Sequence, residues 1–67
     1  MEIHERLKQI RREKQFTQED MASALSTTQQ QYSKYENGVQ ELPARRIIEI
    51  CKVLGISADW LLGLKEE

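Results

Sequence analysis

Cysteine, histidine, proline and glycine are all scarce in this chain of 67 residues, which has one Cys, one His, one Pro and three Gly. The lone Cys51 has no partner for an internal disulfide. With His4 as the only imidazole, the three or four clustered ligands of a zinc site are lacking as well. Neither a metal nor any other cofactor is expected, and the absence of disulfides suits the reducing cytoplasm. No apolar run approaches the ~20 residues of a membrane span. The N-terminus opens on Glu2, Glu5 and Arg6 in place of a signal-peptide core. Charge of one sign is missing too, since ten Lys/Arg against eleven Asp/Glu leave a net charge of −1. That total by itself argues against a nucleic-acid partner, because phosphate binding calls for a basic surface. Without a glycine-rich phosphate loop or an evident carboxylate pair there is nothing from which to assemble a catalytic site, and the chain is not expected to be an enzyme.

What is present is the composition of a small folded protein, 39% apolar and 31% charged. Residues 1–67 are expected to make a single domain. A domain of this size buries only about 60% of the surface of its unfolded chain, so a compact, helix-built core is expected. The charge is unevenly spread: residues 1–46 hold eight Lys/Arg and seven Asp/Glu, and residues 47–67 hold two and four. The first part is therefore +1 and the second −2, which leaves the N-terminal part the less hostile to a polyanion.

Turn and cap signals divide the chain into five segments without the period-two alternation of strands, so the expected class is all-α with five helices. The first should run from about Glu2 to Lys14, with Ile3, Leu7 and Ile10 on one face. Thr17 stands as the N-cap of a second helix over Gln18–Leu25, its hydroxyl placed to accept from the Asp20 amide. Thr28 and Gln31 have the spacing of a capping box for a third helix over Gln29–Glu36, which Asn37 and Gly38 end. Pro43 suits the first turn of a fourth helix carrying Ile47, Ile50, Cys51 and Leu54, closed by Gly55. Ser57 caps a short fifth helix with Trp60 and Leu61, and residues 62–67 are expected to fray.

The second and third helices are separated by Ser26, Thr27 and Thr28, the length of the turn in a helix-turn-helix. Such a turn lets one helix cross the phosphate backbone while the other enters a major groove. Met21, Ala22 and Leu25, with Tyr32 and Tyr35, form the inward faces. Gln29, Gln30, Ser33 and Lys34 are left outward. Glutamine amides combine donor and acceptor and can pair bidentately with adenine N6 and N7, so this row can read bases.

Together, Arg6-Leu7-Lys8 with Arg11, Phe16-Thr17-Gln18-Glu19-Asp20-Met21-Ala22, Thr27-Thr28-Gln29-Gln30, Lys34-Tyr35-Glu36-Asn37-Gly38 and Leu54–Gly63 resemble the helix-turn-helix regulators of the lambda and 434 phage repressor and Cro type, the XRE-like family. The resemblance covers nearly the whole chain. It implies a compact five-helix, lambda-repressor-like DNA-binding domain, bacterial or phage-encoded. It also implies base contacts from Gln29, Gln30 and Lys34. Backbone contacts would come from Gln18, Thr28 and Gln31, and from the Asn37–Gln40 loop, including Gly38 and Gln40, through its amides. Arg11 and Glu36 match a pair that ties the first helix to the end of the third; Arg11 could otherwise contact phosphate or lie on the surface. The chain departs from the pattern at Ser26, where the turn usually has glycine, so a left-handed serine is expected at a cost of about 1 kcal/mol. It departs again in the loop Val39–Ala44, which carries Glu41 where the family is often basic.

The expected activity is sequence-specific binding of double-stranded DNA as a repressor, a homodimer reading a pseudo-palindromic operator. Ile56, Leu61, Leu62 and Leu64 supply more apolar surface near the chain end than so small a core needs, and they are the candidate dimer surface. The near-neutral charge keeps a second reading open: an antitoxin-like or antirepressor module with weak DNA affinity and a regulatory protein partner. His4 is expected to be exposed, and Cys51 to be a core thiol.

Overall fold

The computed structural model describes residues 1–65. Five helices follow one another: α1 (Ile3–Glu13), α2 (Gln18–Ala24), α3 (Gln29–Glu36), α4 (Ala44–Leu54) and α5 (Ala58–Leu61). No strand occurs among the described residues. Most of the starts are fixed by side chains that hold amides the helix itself cannot satisfy. Thr17 Oγ1 accepts from the Asp20 amide at 2.9 Å and the Asp20 carboxylate accepts from the Thr17 amide at 2.9 Å, a reciprocal box. The backbone bond to Thr17 also holds Asp20 below the usual carboxylate range. At α3 the expected box is half formed. Thr28 Oγ1 accepts from the Gln31 amide at 3.1 Å, but the Gln31 side chain turns away to Gln40. Pro43 precedes α4 as its N-cap, in extended conformation, rather than occupying its first turn.

The helix ends share one device. After each helix a residue turns left-handed, at Gln15, Ser26, Gly38, Gly55 and Gly63. The next amide reaches back to a carbonyl in the last turn: Phe16 to Arg11, Thr27 to Ala22, Val39 to Lys34, Ile56 to Cys51 and Leu64 to Asp59. The expected left-handed Ser26 has φ +56, and Gln15 joins it at φ +65. Of the expected frayed end, the amides of residues 63 and 64 donate hydrogen bonds to the carbonyls of Trp60 and Asp59. Glu66 and Glu67 lie outside the described residues.

Every helix contributes to one core: Leu7 from α1, Met21 and Ala22 from α2 with Leu25 just after it, Tyr32 and Tyr35 from α3, Ile50 and Leu54 from α4, and Leu61 from α5. Fully burying each large apolar side chain is worth about 1.5–3 kcal/mol. This corrects the candidate dimer surface. Leu61 has no exposed area and belongs to the core, and Ile56 packs against that core from its edge, whereas Leu62 and Leu64 remain 37% and 76% exposed. The physical reason is helix periodicity: α5 is a single turn packed on α1 and α4, and Leu61 falls on its inner side.

Two arginines to which sequence reasoning assigned no fastening role join the elements. Arg46 Nη1 of α4 donates to the Leu25 carbonyl at 2.6 Å, satisfying an end of α2. Arg6 of α1 lies 5.1 Å from the centroid of the Trp60 ring and donates to its carbonyl at 3.2 Å. Among the described residues no helix is long and apolar enough to cross a membrane.

Candidate nucleic-acid interface

The outer face of α3 follows from its inner one. Tyr32, Tyr35 and Glu36 are buried, and at 100° per residue their mean direction leaves Gln30 and Lys34 on the opposite side. Gln29 and Ser33 fall on the flank toward α2, and Gln31 on the flank toward the following loop. Gln29, Gln30 and Lys34 are exposed, while Ser33 and Gln31 are half-buried. Gln18, at the start of α2, joins Gln29, Gln30 and Ser33 around one open, shallow depression. Lys34, in the last turn, also sits where the helix dipole favours a cation. The first bond inside α3 runs from the Tyr32 amide to Thr28. The amides of Gln29 and Gln30 therefore precede the helical ladder and point out of its N-terminal end.

Behind this face lies a buried carboxylate that holds three helices together. Glu36 accepts from Arg11 Nε at 2.5 Å and Arg11 Nη2 at 3.2 Å, from the Tyr32 hydroxyl at 2.6 Å and from Gln18 Nε2 at 3.1 Å. Arg11 also donates to the Phe16 carbonyl at 2.7 Å. Burial pushes the Glu36 carboxyl up, but the donors from Arg11, Tyr32 and Gln18 outweigh it and hold the group below the usual carboxylate range. Burial, with the bond to Glu36, pushes the Tyr32 phenol well above its ordinary value, so it stays a donor. Arg11 and Glu36 thus form an ion pair that is almost fully buried, and Gln18 is braced against the end of α3.

The Asn37–Gln40 loop behaves differently from the sequence expectation. Its four backbone amides do not face outward: Asn37 donates to Ser33, Gly38 to Tyr35, and Val39 and Gln40 both to Lys34. The cap that ends α3 occupies them, which corrects the expected contact with phosphate through these amides. The Asn37 side-chain amide donates to Ser33 Oγ at 3.1 Å, and Gln40 Oε1 accepts from Gln31 Nε2 at 2.9 Å. Glycine is favoured at position 38 on two counts. Its φ is +73, and a Cβ there would lie 2.9 Å from His4 Cε1, with the two ring nitrogens at 3.0 and 3.1 Å. His4 is accordingly half-buried against this loop and not exposed.

The structure therefore brings Gln18, Thr28, Gln29, Gln30, Gln31 and Lys34 onto and around one helix, with Asn37, Gly38 and Gln40 at its C-terminal edge. Leu62 and Leu64 follow α5, which packs on α1 and α4. Sequence reasoning missed Arg46, Arg6 and the His4–Gly38 contact. All three depend on residues distant in the chain, and only the glycine at position 38 left a local trace.

Residues 4–67 match the family described as helix-turn-helix domain. The chain is 41% identical over 58 residues to the SPbeta prophage-derived uncharacterized HTH-type transcriptional regulator YonR of Bacillus subtilis (strain 168), covering 87% of this chain and 54% of that protein. It is 40% identical over 58 residues to the uncharacterized HTH-type transcriptional regulator YqaE of the same organism, covering 87% and 50%. With YobD, similarly described, the identity is 25% over 63 residues, covering 94% and 56%. The chain spans about half the length of the curated relatives it matches.

Proposed function

Because the chain belongs to the helix-turn-helix domain family, with nearly its whole length matched, we propose that it binds double-stranded DNA in a sequence-specific manner and acts as a transcriptional repressor. The relatives' description as transcriptional regulators supports the regulatory role. The observation that carries the reading is the outer face of α3, where Gln29, Gln30 and Lys34 are exposed on a helix held rigidly from behind by the Glu36 cluster. With α3 in the major groove, Gln29 and Gln30 pair with adenine N6 and N7, and Lys34 reaches guanine O6 or N7. Gln18 and Thr28 meet phosphate at the rim, where the outward amides of Gln29 and Gln30 favour an anion.

The protein acts as a homodimer on a pseudo-palindromic operator, with two recognition helices about 34 Å apart. Leu62 and Leu64, exposed beyond α5, form the self-association surface with the edge of Ile56. Selection of bound sites from a random duplex pool tests the reading. An inverted repeat should be enriched by the wild-type chain, and its preference at one position per half-site should relax in Gln29→Ala. A pool that comes through selection unenriched, with weak binding even at low salt, would reject DNA recognition as the function and direct the search to a protein partner.

A further inference from the structure

With the four amides of the Asn37–Gln40 loop engaged by α3 carbonyls and the Asn37 side-chain amide donating to Ser33 Oγ, the exposed Gln40 side chain is a donor that this loop can offer. Gln40 is not free to present either end of its carboxamide. Its Oε1 accepts from Gln31 Nε2 at 2.9 Å, and both of its amide hydrogens are left without a role in that bond. Gln31 is half-buried on α3 and Gln40 is exposed, which makes Gln31 the more constrained of the two. Backbone bonds from both Val39 and Gln40 to Lys34 fix the loop beside the outer face of α3.

We infer that Gln31 sets the polarity of Gln40, so that Gln40 offers its N–H groups to an acceptor on DNA at the edge of the α3 face. This deepens the proposed DNA-binding function and rests on it. The acceptors of that chemistry are the O6/N7 edge of guanine and a phosphate oxygen. Gln31 is then a positioning residue, acting through Gln40 and not touching the base itself.

The experiment is site selection from a random duplex pool with the wild-type chain, Gln31→Ala, Gln31→Glu and Gln40→Ala, followed by affinity titrations on the selected duplex. The carboxylate introduced by Gln31→Glu can only accept, so it turns the Gln40 carboxamide round and points its oxygen outward. If the acceptor is guanine, one half-site position favours guanine with wild type, is relaxed in Gln31→Ala and Gln40→Ala, and switches to adenine or cytosine, which offer amino groups, in Gln31→Glu. If the acceptor is phosphate, base preferences stay unchanged, while Gln31→Ala and Gln40→Ala each weaken every duplex by about fivefold, the worth of one net hydrogen bond. Equal melting temperatures show that these surface variants are folded. Gln31→Ala and Gln40→Ala with wild-type affinity and preference would overturn the inference, and so would a guanine preference that Gln40→Ala relaxes but Gln31→Glu leaves in place. A wild-type chain that selects no site is a separate result, which removes the DNA-binding reading itself.

Discussion

At the scale of single residues, Glu36 connects stability to the reading face. Its carboxyl is held below the usual range by Arg11, Tyr32 and Gln18 despite burial. The stability it supplies is therefore full above the ordinary glutamate value of about 4.3 and is lost as pH falls through its lowered folded value. Thermal melts of Glu36→Gln should show a loss of about 3–5 kcal/mol near neutral pH, because Arg11 would stay buried without its countercharge. The gap from wild type should narrow as acid protonates the native carboxylate; a constant gap down to about pH 2 would contradict this. Ser26 makes a prediction of opposite sign. With φ +56 it carries the cost of a left-handed non-glycine residue, so Ser26→Gly should stabilise by up to about 1 kcal/mol in the same melts. The buried pair was legible only by resemblance, since nothing local marks Arg11 apart from Arg12, which is exposed. The outward row of glutamines was legible from periodicity, because Tyr32 and Tyr35 leave little choice of inner face.

At the scale of elements, chemistry within four or five residues was readable and chemistry between elements was not. Thr17, Thr28 and Ser57 declared three helix starts, and Gly38 and Gly55 declared two ends. Gln15 did not, because a glutamine gives no sign of the left-handed turn that the end of α1 demands of it. The Asn37–Gln40 loop was misread for a related reason. Its amides look free in the sequence, and only the cap geometry reveals that α3 carbonyls occupy them. Arg46 is the clearest between-element case, since its bond to the Leu25 carbonyl joins α4 to the helix-turn-helix turn. Arg46→Met should lower stability by about 1 kcal/mol and speed hydrogen exchange at the Ser26 and Thr27 amides next to that carbonyl. Unchanged exchange there would mean that the bond does not hold the turn.

At the scale of the whole molecule, a near-neutral chain must recognise DNA with few cations, and Lys34 is the only one on α3. Affinity should therefore vary gently with salt, with a log–log slope of about −1 to −2 per protomer. Leu62→Asp should weaken self-association in sedimentation without unfolding the chain, since Leu62 is exposed, unlike Leu61 in the core. Excess apolar sequence near the chain end suggested a surface to be covered, but pattern alone could not divide Ile56, Leu61, Leu62 and Leu64 between core and exterior. Amide chemical-shift mapping on adding a short duplex shows whether the outer face of α3 meets DNA. Shifts should concentrate at Gln18, Thr28–Lys34 and Asn37–Gln40, with Arg12 and Glu49 unmoved; shifts centred on α4 and α5 that leave Gln29, Gln30 and Lys34 unchanged would mean that another face binds.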